Sequence, residues 1–202
     1  MIYIKDNFLE DSVLEFLTKG LNDFQEVDAG DKKFWVMMPP PELVEYITSR
    51  IALIEGRDID HIFSFFRVAT DKLDTDWRIH NDSIIENQLP DRALVLYISD
   101  SETDELHGTA FWEHQKYGDA LLKDDLTPEE FNRLLMEDAN DLSQWTLKTV
   151  VGYKKNRLVS YPCNYFHSKY PNKSWESGRK VFAMFYKIKE PWMPTEKDKC
   201  II

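Results

Sequence analysis

The apolar positions change period once along the chain. In the first sixty residues they recur at helical spacing: Leu9, Val13, Phe16 and Leu17 in one stretch, Leu43, Ile47, Ile51 and Ile54 in another. The first predicts a helix capped by Asp11, running to about Lys19 and ended by Gly20. The second predicts a helix from about Glu42 to Ile54, entered through Pro39-Pro40-Pro41 and closed by Gly56. Met1 to Lys5 and Phe34 to Met38 read as short strands. Asp28 to Lys32 reads as a polar turn.

From residue 62 the period shortens to two. Ile62 to Val68 is aromatic and β-branched. The acidic turn Asp71 to Asp76 separates it from a strand over Trp77 to Ser83. Arg92 to Ile98 is almost wholly apolar, as expected of a strand buried on both faces. Further strands are predicted at Gly108–Trp112, Thr149–Tyr153, Arg157–Tyr161, Asn164–His167 and Arg179–Ile188. In the last, Val181, Ala183 and Phe185 alternate against Lys180, Met184 and Tyr186. Residues 115–145 break the β pattern. There Thr127-Pro128-Glu129-Glu130 predicts a capping box and a helix to about Glu137, inside an insertion expected to act as a lid or specificity element. Two helices followed by about eight strands, with no βα alternation, predict a mainly β barrel or jelly roll with N-terminal helical buttresses. One domain over residues 1–190 and a polar tail over 191–202 are expected.

Charge and composition narrow the partners. The net charge is −11, which disfavours nucleic acid and anionic membrane because both demand a basic footprint. The run Lys154-Lys155-Asn156-Arg157 is read as a solvated turn. With 7 glycines the chain holds no phosphate-binding glycine loop. Two distant cysteines, Cys163 and Cys200, predict no disulfide framework and a reducing compartment. Cys163 is expected to be a small buried residue. No signal segment and no run of about 20 apolar residues is present, so a soluble cytoplasmic protein is expected.

The chemistry gathers at His80 and Asp82. Two apart in an extended strand, they present an imidazole and a carboxylate on one face. Alone the pair is weak evidence, because the chain holds 5 His and 36 acidic residues. With His167 as third ligand it forms the two-histidine, one-carboxylate set that binds non-haem Fe(II) and leaves positions open. Arg179, twelve residues further on, would receive a carboxylated co-substrate. The other candidates are given plainer roles. Glu113 and His114 read as a structural pair rather than a second metal site. His107 and His61 read as loop or surface residues, and Trp112 as core. Arg78 either meets an acidic substrate or pairs with an aspartate of the 71–76 turn.

In this order the motifs resemble those of the Fe(II)- and 2-oxoglutarate-dependent oxygenases, nearest the prolyl-hydroxylase-like branch. "YIKDNFLEDSVLEFL" resembles the family's opening strand, turn and helix, and "WRIHNDS" its His-x-Asp strand. "ALVLYISDSETDELHGTAFWEH" resembles the next two strands, "NRLVSYPCNYFHSKYP" the strand with the distal histidine, and "GRKVFAMFYK" the last core strand with its basic residue. The resemblance implies a double-stranded β-helix and a metal held by His80, Asp82 and His167. It implies 2-oxoglutarate chelating that metal and reaching Arg179, with O2 as oxidant and ascorbate as a stimulant. The implied activity is a dioxygenase, most simply a hydroxylase of a small-molecule or peptidyl substrate. Asp82 argues against a halogenase. The pattern departs from the family at Val181, where many members have Ser or Thr, so Tyr97, with Tyr165 behind it, is the candidate second contact to the co-substrate. Trp77 and Arg179 stand where prolyl-hydroxylase-like members have Tyr and Lys, which weakens the case for a prolyl substrate. The alternatives are a non-catalytic barrel that binds a metal or small molecule and, with no role for Arg179, a zinc hydrolase.

Overall fold

The computed structural model describes residues 1–29, 32–83, 85–101, 105–122, 125–171 and 175–189. The expected tail and part of the acidic 100–105 loop lie outside the described residues. The fold is mainly β, with three α-helices and ten strands among the described residues: β1 (Tyr3–Lys5), α1 (Asp11–Gly20), β2 (Gln25–Ala29), β3 (Lys32–Met37), α2 (Pro41–Glu55), β4 (Ile59–Ala69), β5 (Arg92–Tyr97), β6 (Gly108–His114), α3 (Pro128–Met136), β7 (Trp145–Gly152), β8 (Leu158–Pro162), β9 (His167–Tyr170) and β10 (Arg179–Ile188). Two short 3-10 turns, Asp138–Asn140 and Leu142–Gln144, join α3 to β7.

The strands form two antiparallel sheets. The larger runs β1-β8-β5-β10-β4-β3-β2 and the smaller β7-β6-β9. Strand alternation sorts the apolar residues into two cores. Phe182, Met184 and Tyr186 of β10 join Leu94, Leu96 and Phe66 under the helices, against Leu17, Ile47 and Ile51. The opposite face of the large sheet carries Ala93, Tyr97, Val159, Tyr161 and Phe185 toward the small sheet, where Phe111 and Val151 meet them. Between the sheets, where packing is incomplete, lies the cavity described below.

The helices differ from expectation in detail. Glu10, not Asp11, stands at the N-cap of α1 and makes no side-chain capping bond. Phe16 lies off the buried stripe at 72% exposed, while Leu17 and Leu21 take the core positions. α2 begins at Pro41, whose missing N–H costs nothing in the first turn, and ends on Gly56 in the left-handed region at φ 66°. α3 has the expected capping box between Thr127 and Glu130. No described helix is long and apolar enough to cross a membrane.

The insertion expected as a lid or specificity element lies against the small sheet. Leu121, Leu134 and Trp145 pack with Ile79, Trp112 and Phe166 on the outer face of the small sheet. None of its described residues lines the cavity between the sheets. Its apolar residues have a hydrophobic sheet face to cover, and that covering fixes where it lies.

Candidate metal centre

The His80 segment is extended but is not a regular strand. It makes one antiparallel bridge, His80 with His167, through His80 N–H to the His167 carbonyl at 3.0 Å and His167 N–H to the His80 carbonyl at 2.8 Å. Alternation still holds along it. Ile79 and Asn81 point outward, where the Ile79 N–H donates to the Ala139 carbonyl (3.0 Å) and Asn81 Nδ2 to the Leu121 carbonyl (2.5 Å). His80 and Asp82 point inward. The strand expected at 164–167 instead begins at His167, because Phe166 is drawn into the outer core and Cys163 and Asn164 form a turn.

His80, Asp82 and His167 converge, with one donor atom of each lying within 4.8 Å of the others. Asp82 Oδ2 is 3.4 Å from His167 Nε2, and Oδ1 is 3.9 Å from His80 Nε2. Each imidazole is oriented from behind. His80 Nδ1 meets the Arg78 carbonyl at 2.8 Å and His167 Nδ1 the Tyr165 carbonyl at 3.0 Å. A carbonyl can only accept, so both Nδ1 atoms carry the proton and both Nε2 lone pairs face Asp82. Histidine ligands are commonly held this way. Burial in the cavity pushes the His80 imidazole down to about 4, with His167 beside it adding to the effect. Burial does the same to His167, also to about 4, and raises the Asp82 carboxyl to about 6. At neutral pH the set is therefore two neutral imidazoles and one carboxylate, the state a divalent cation requires. The donor set fits such an ion. Among the described residues no other group of three His, Cys, Asp or Glu side chains converges in this way.

These residues stand in a cavity of about 160 Å³, partly open to solvent, whose walls include Arg67, Thr109, Tyr161, Lys169 and Arg179. Arg179 opens β10 immediately after Gly178, which adopts φ 96° and comes so close to β4 that an added Cβ would lie 2.7 Å from Val68 Cγ2. The guanidinium lies over Tyr97 (5.4 Å) and Tyr153 (5.6 Å), and its buried Nε has no partner among the described residues.

Tyr97 does not line the cavity. Its hydroxyl meets Thr109 Oγ1 at 2.8 Å and donates to the Val151 carbonyl, so it backs Arg179 from behind. Tyr165 bridges to Ala120 of the insertion and also stands off the cavity wall. Thr109 and Tyr161 hold the wall positions instead. The Tyr161 ring centroid is 4.6 Å from that of His167, and burial keeps its phenol well above the usual range and so protonated.

Lys169 was not foreseen. It shares the face of His167, two residues away, and its Nζ donates to the Asp74 carbonyl at 3.0 Å. Burial lowers it to about 8, so it remains a cation at neutral pH. The two-residue period from His167 was the available signal. Arg67 also faces the cavity, but the Asp74 carboxylate holds it through both Nε and Nη2.

The remaining expectations resolve. Arg78 pairs with Asp76 (3.3 Å). Trp112 is core, donating through Nε1 to Ser168 (2.9 Å). Cys163 is buried and His61 exposed. His107 lies in the loop before β6 but is buried, against Trp175, with ring centroids 5.2 Å apart. His114 and Glu113 do not form a pair, since adjacent strand residues face opposite ways. His114 turns inward to Asp138 (3.3 Å) and Glu113 outward to Lys148 (2.6 Å). The basic run is a turn, but its Asn156 is buried.

No protein-family model and no curated protein matches the sequence. Solved structures do match. One is SnoK, a non-haem α-ketoglutarate-dependent carbocyclase of nogalamycin biosynthesis: TM-score 0.58, 14% identity, covering 92% of this chain and 78% of that one. HygX from Streptomyces hygroscopicus, solved with nickel, 2-oxoglutarate and hygromycin B bound, gives 0.59 at 12% identity over 97% and 88%. A Pseudomonas putida prolyl-4-hydroxylase gives 0.52 at 11% identity over 94% and 93%. A cavity between two antiparallel sheets, with a His-Asp-His set inside it, thus sits on the fold of the Fe(II)- and 2-oxoglutarate-dependent oxygenases.

Proposed function

We propose that this chain is an Fe(II)- and 2-oxoglutarate-dependent dioxygenase that hydroxylates an unactivated C–H bond of a small-molecule or peptidyl substrate. In this reading the two sheets are the halves of a double-stranded β-helix, and residues 1–190 form one domain. The observation that carries it is a pairing within one cavity: a metal-ready His80, Asp82 and His167 set, and the buried, unpartnered Nε of Arg179. A buried N–H without an acceptor is costly, and a ligand carboxylate would supply one. When bound, Fe(II), 2-oxoglutarate and O2 supply the power to oxidise a C–H bond, releasing succinate and CO2.

The chain's own residues do the rest. His80, Asp82 and His167 would hold the metal on one side and leave the other open. Arg179 would grip the distal carboxylate of 2-oxoglutarate, aligned by the stacked rings of Tyr97 and Tyr153. With Val181 unable to hydrogen-bond, the hydroxyls of Thr109 and Tyr161 are the polar wall groups available to the same ligand.

The test is turnover of 2-oxoglutarate to succinate with Fe(II) and ascorbate. Arg179→Ala is expected to raise the KM for 2-oxoglutarate 10- to 100-fold, the loss of about 1.5–3 kcal/mol for a charged hydrogen bond. His80→Ala is expected to abolish turnover. Full turnover in His80→Ala would refute the assignment of His80 as a ligand, and no 2-oxoglutarate binding by the wild type would leave a non-catalytic barrel as the reading.

A further inference from the structure

Lys169 is a half-buried cation on the wall of the metal cavity that forms no ion pair among the described residues. The acids nearest it are engaged elsewhere: Asp74 holds Arg67 through both oxygens, and Asp76 lies 3.3 Å from Arg78 Nε. The one described partner of Lys169 Nζ is a neutral backbone carbonyl, that of Asp74. An ammonium carries three donors, so two of them have no partner among the described residues. Partly burying a charge beside a cavity without a counter-ion is unfavourable, and a ligand can provide one.

The charges of the proposed loaded site leave Lys169 over. A divalent ion, the Asp82 carboxylate, a doubly charged 2-oxoglutarate and the Arg179 guanidinium sum to zero. Arg67 and Asp74 cancel each other. Lys169 alone remains, on the small sheet across from Arg179, two residues along the strand from His167 and so about 7 Å away backbone to backbone. The second carboxylate of 2-oxoglutarate already has Arg179.

We infer that the primary substrate carries a carboxylate and that Lys169 receives it, which rests on the oxygenase reading above. One uncompensated positive charge matches a monoanion. A phosphate monoester, at close to two negative charges, would overcompensate it. The oxidised carbon then lies a few bonds from the acid group, because the ammonium and the metal ligands share one wall.

The experiment uses the full-length protein loaded with Zn(II) and saturated with 2-oxoglutarate, so that binding is read without turnover. Calorimetric titration compares C3–C6 monocarboxylic acids, free L-amino acids included, with the amides of the same skeletons. At least one acid is expected to bind, with its amide tenfold weaker or worse. Lys169→Met is expected to weaken that acid at least tenfold while the Kd of 2-oxoglutarate moves less than threefold, which also shows that the variant folds. Lys169→Arg is expected to restore part of the affinity, and Lys148→Met, on the outer surface, to behave as wild type. The inference is overturned if no acid binds, if amides bind as well as acids, or if Lys169→Met keeps the acid. It is also overturned if Lys169→Met weakens 2-oxoglutarate tenfold, which would assign the ammonium to the co-substrate. Failure of the wild type to bind 2-oxoglutarate at all would instead strike the oxygenase reading itself, and this inference with it.

Discussion

Asn156 shows how much one side chain carries outside the site. It sits in the left-handed region at φ 62° and is buried. Its amide donates to the Leu9 carbonyl and accepts from the Leu9 N–H, both at 2.8 Å, while its backbone bonds to Phe8 and Tyr97. It thereby ties the entry of α1 to β5. Asn156→Ala strands two buried backbone groups of Leu9 and puts a Cβ-bearing residue without a local hydrogen bond into a left-handed turn. A loss of about 2–4 kcal/mol is expected in urea unfolding. Asn156→Gly should lose about 1 kcal/mol less, since glycine accepts the backbone angle freely. At the metal set the residue-scale prediction concerns protons. Asp82 titrates near 6 and the two imidazoles near 4, and each proton must leave before a metal binds. Zn(II) affinity, read by chelator competition, is therefore expected to be level above about pH 7. It should fall as pH drops through 6 and more steeply toward 4. In the metal-free protein the same shifts oppose one another. The raised Asp82 pKa contributes stability at low pH that is lost as pH rises through about 6. The lowered imidazole pKa values contribute stability above 6.5 that is lost as pH falls toward 4.

Among the elements, those legible in the sequence were those whose chemistry is local. β10 was found with its true limits because Val181 and Phe185 face one core, with Ala183 beside them on the cavity wall, while Phe182, Met184 and Tyr186 face the other. The capping box of α3 was equally plain. β2 was missed because Gln25, Glu26, Val27 and Asp28 are exposed at the edge of the sheet, three of the four being polar, so no burial pattern marks it. The four residues at the centre of the proposed site stood out by type. Thr109, Tyr161 and Lys169 did not, because knowing that they face the same cavity requires the register Thr109 to Lys169 and Phe111 to His167, which no single strand records. The insertion illustrates the same limit: its helix was readable and its docking face was not. It now yields a prediction. Through the Leu121 and Ala139 carbonyls it clasps the outward side of the ligand segment at Asn81 and Ile79. Asn81→Ala is expected to weaken Zn(II) binding about 10-fold or more, the scale seen when groups that orient ligands are lost, without changing which acids bind. Leu134→Ala, which opens a gap under α3, is expected to lower unfolding stability by about 2–5 kcal/mol. If either variant altered ligand selectivity while sparing stability and metal affinity, the insertion would be a specificity element after all.

At the scale of the whole molecule, an acidic body encloses a cation-lined cavity. The chain carries a net charge of −11, yet three cations and two histidines face the cavity against Asp82 alone. On the proposed reading, a metal and a co-substrate bound there would add to the stability of the fold. The cavity joins β4, β5, β8 and β10 of the large sheet to β6 and β9 of the small one, and the His80 segment reaches β9 through a single bridge. A metal on His80, Asp82 and His167 would cross-link that segment to β9, and 2-oxoglutarate reaching Arg179 would tie both to β10. A ligand that binds only the native state adds RT ln(1 + [L]/Kd), about 2.7 kcal/mol at a hundredfold excess over Kd. In a chain of this size 1 kcal/mol moves the midpoint by roughly 2–4 °C. Zn(II) is therefore expected to raise the Tm by about 5–10 °C, and 2-oxoglutarate to raise it further only when the metal is present. EDTA should reverse both shifts. His80→Ala should lose both, whereas Arg179→Ala should keep the metal shift and lose the second. If 2-oxoglutarate raised the Tm of the metal-free protein as much as that of the loaded one, the two ligands would not share a site and the proposed chelation would be wrong.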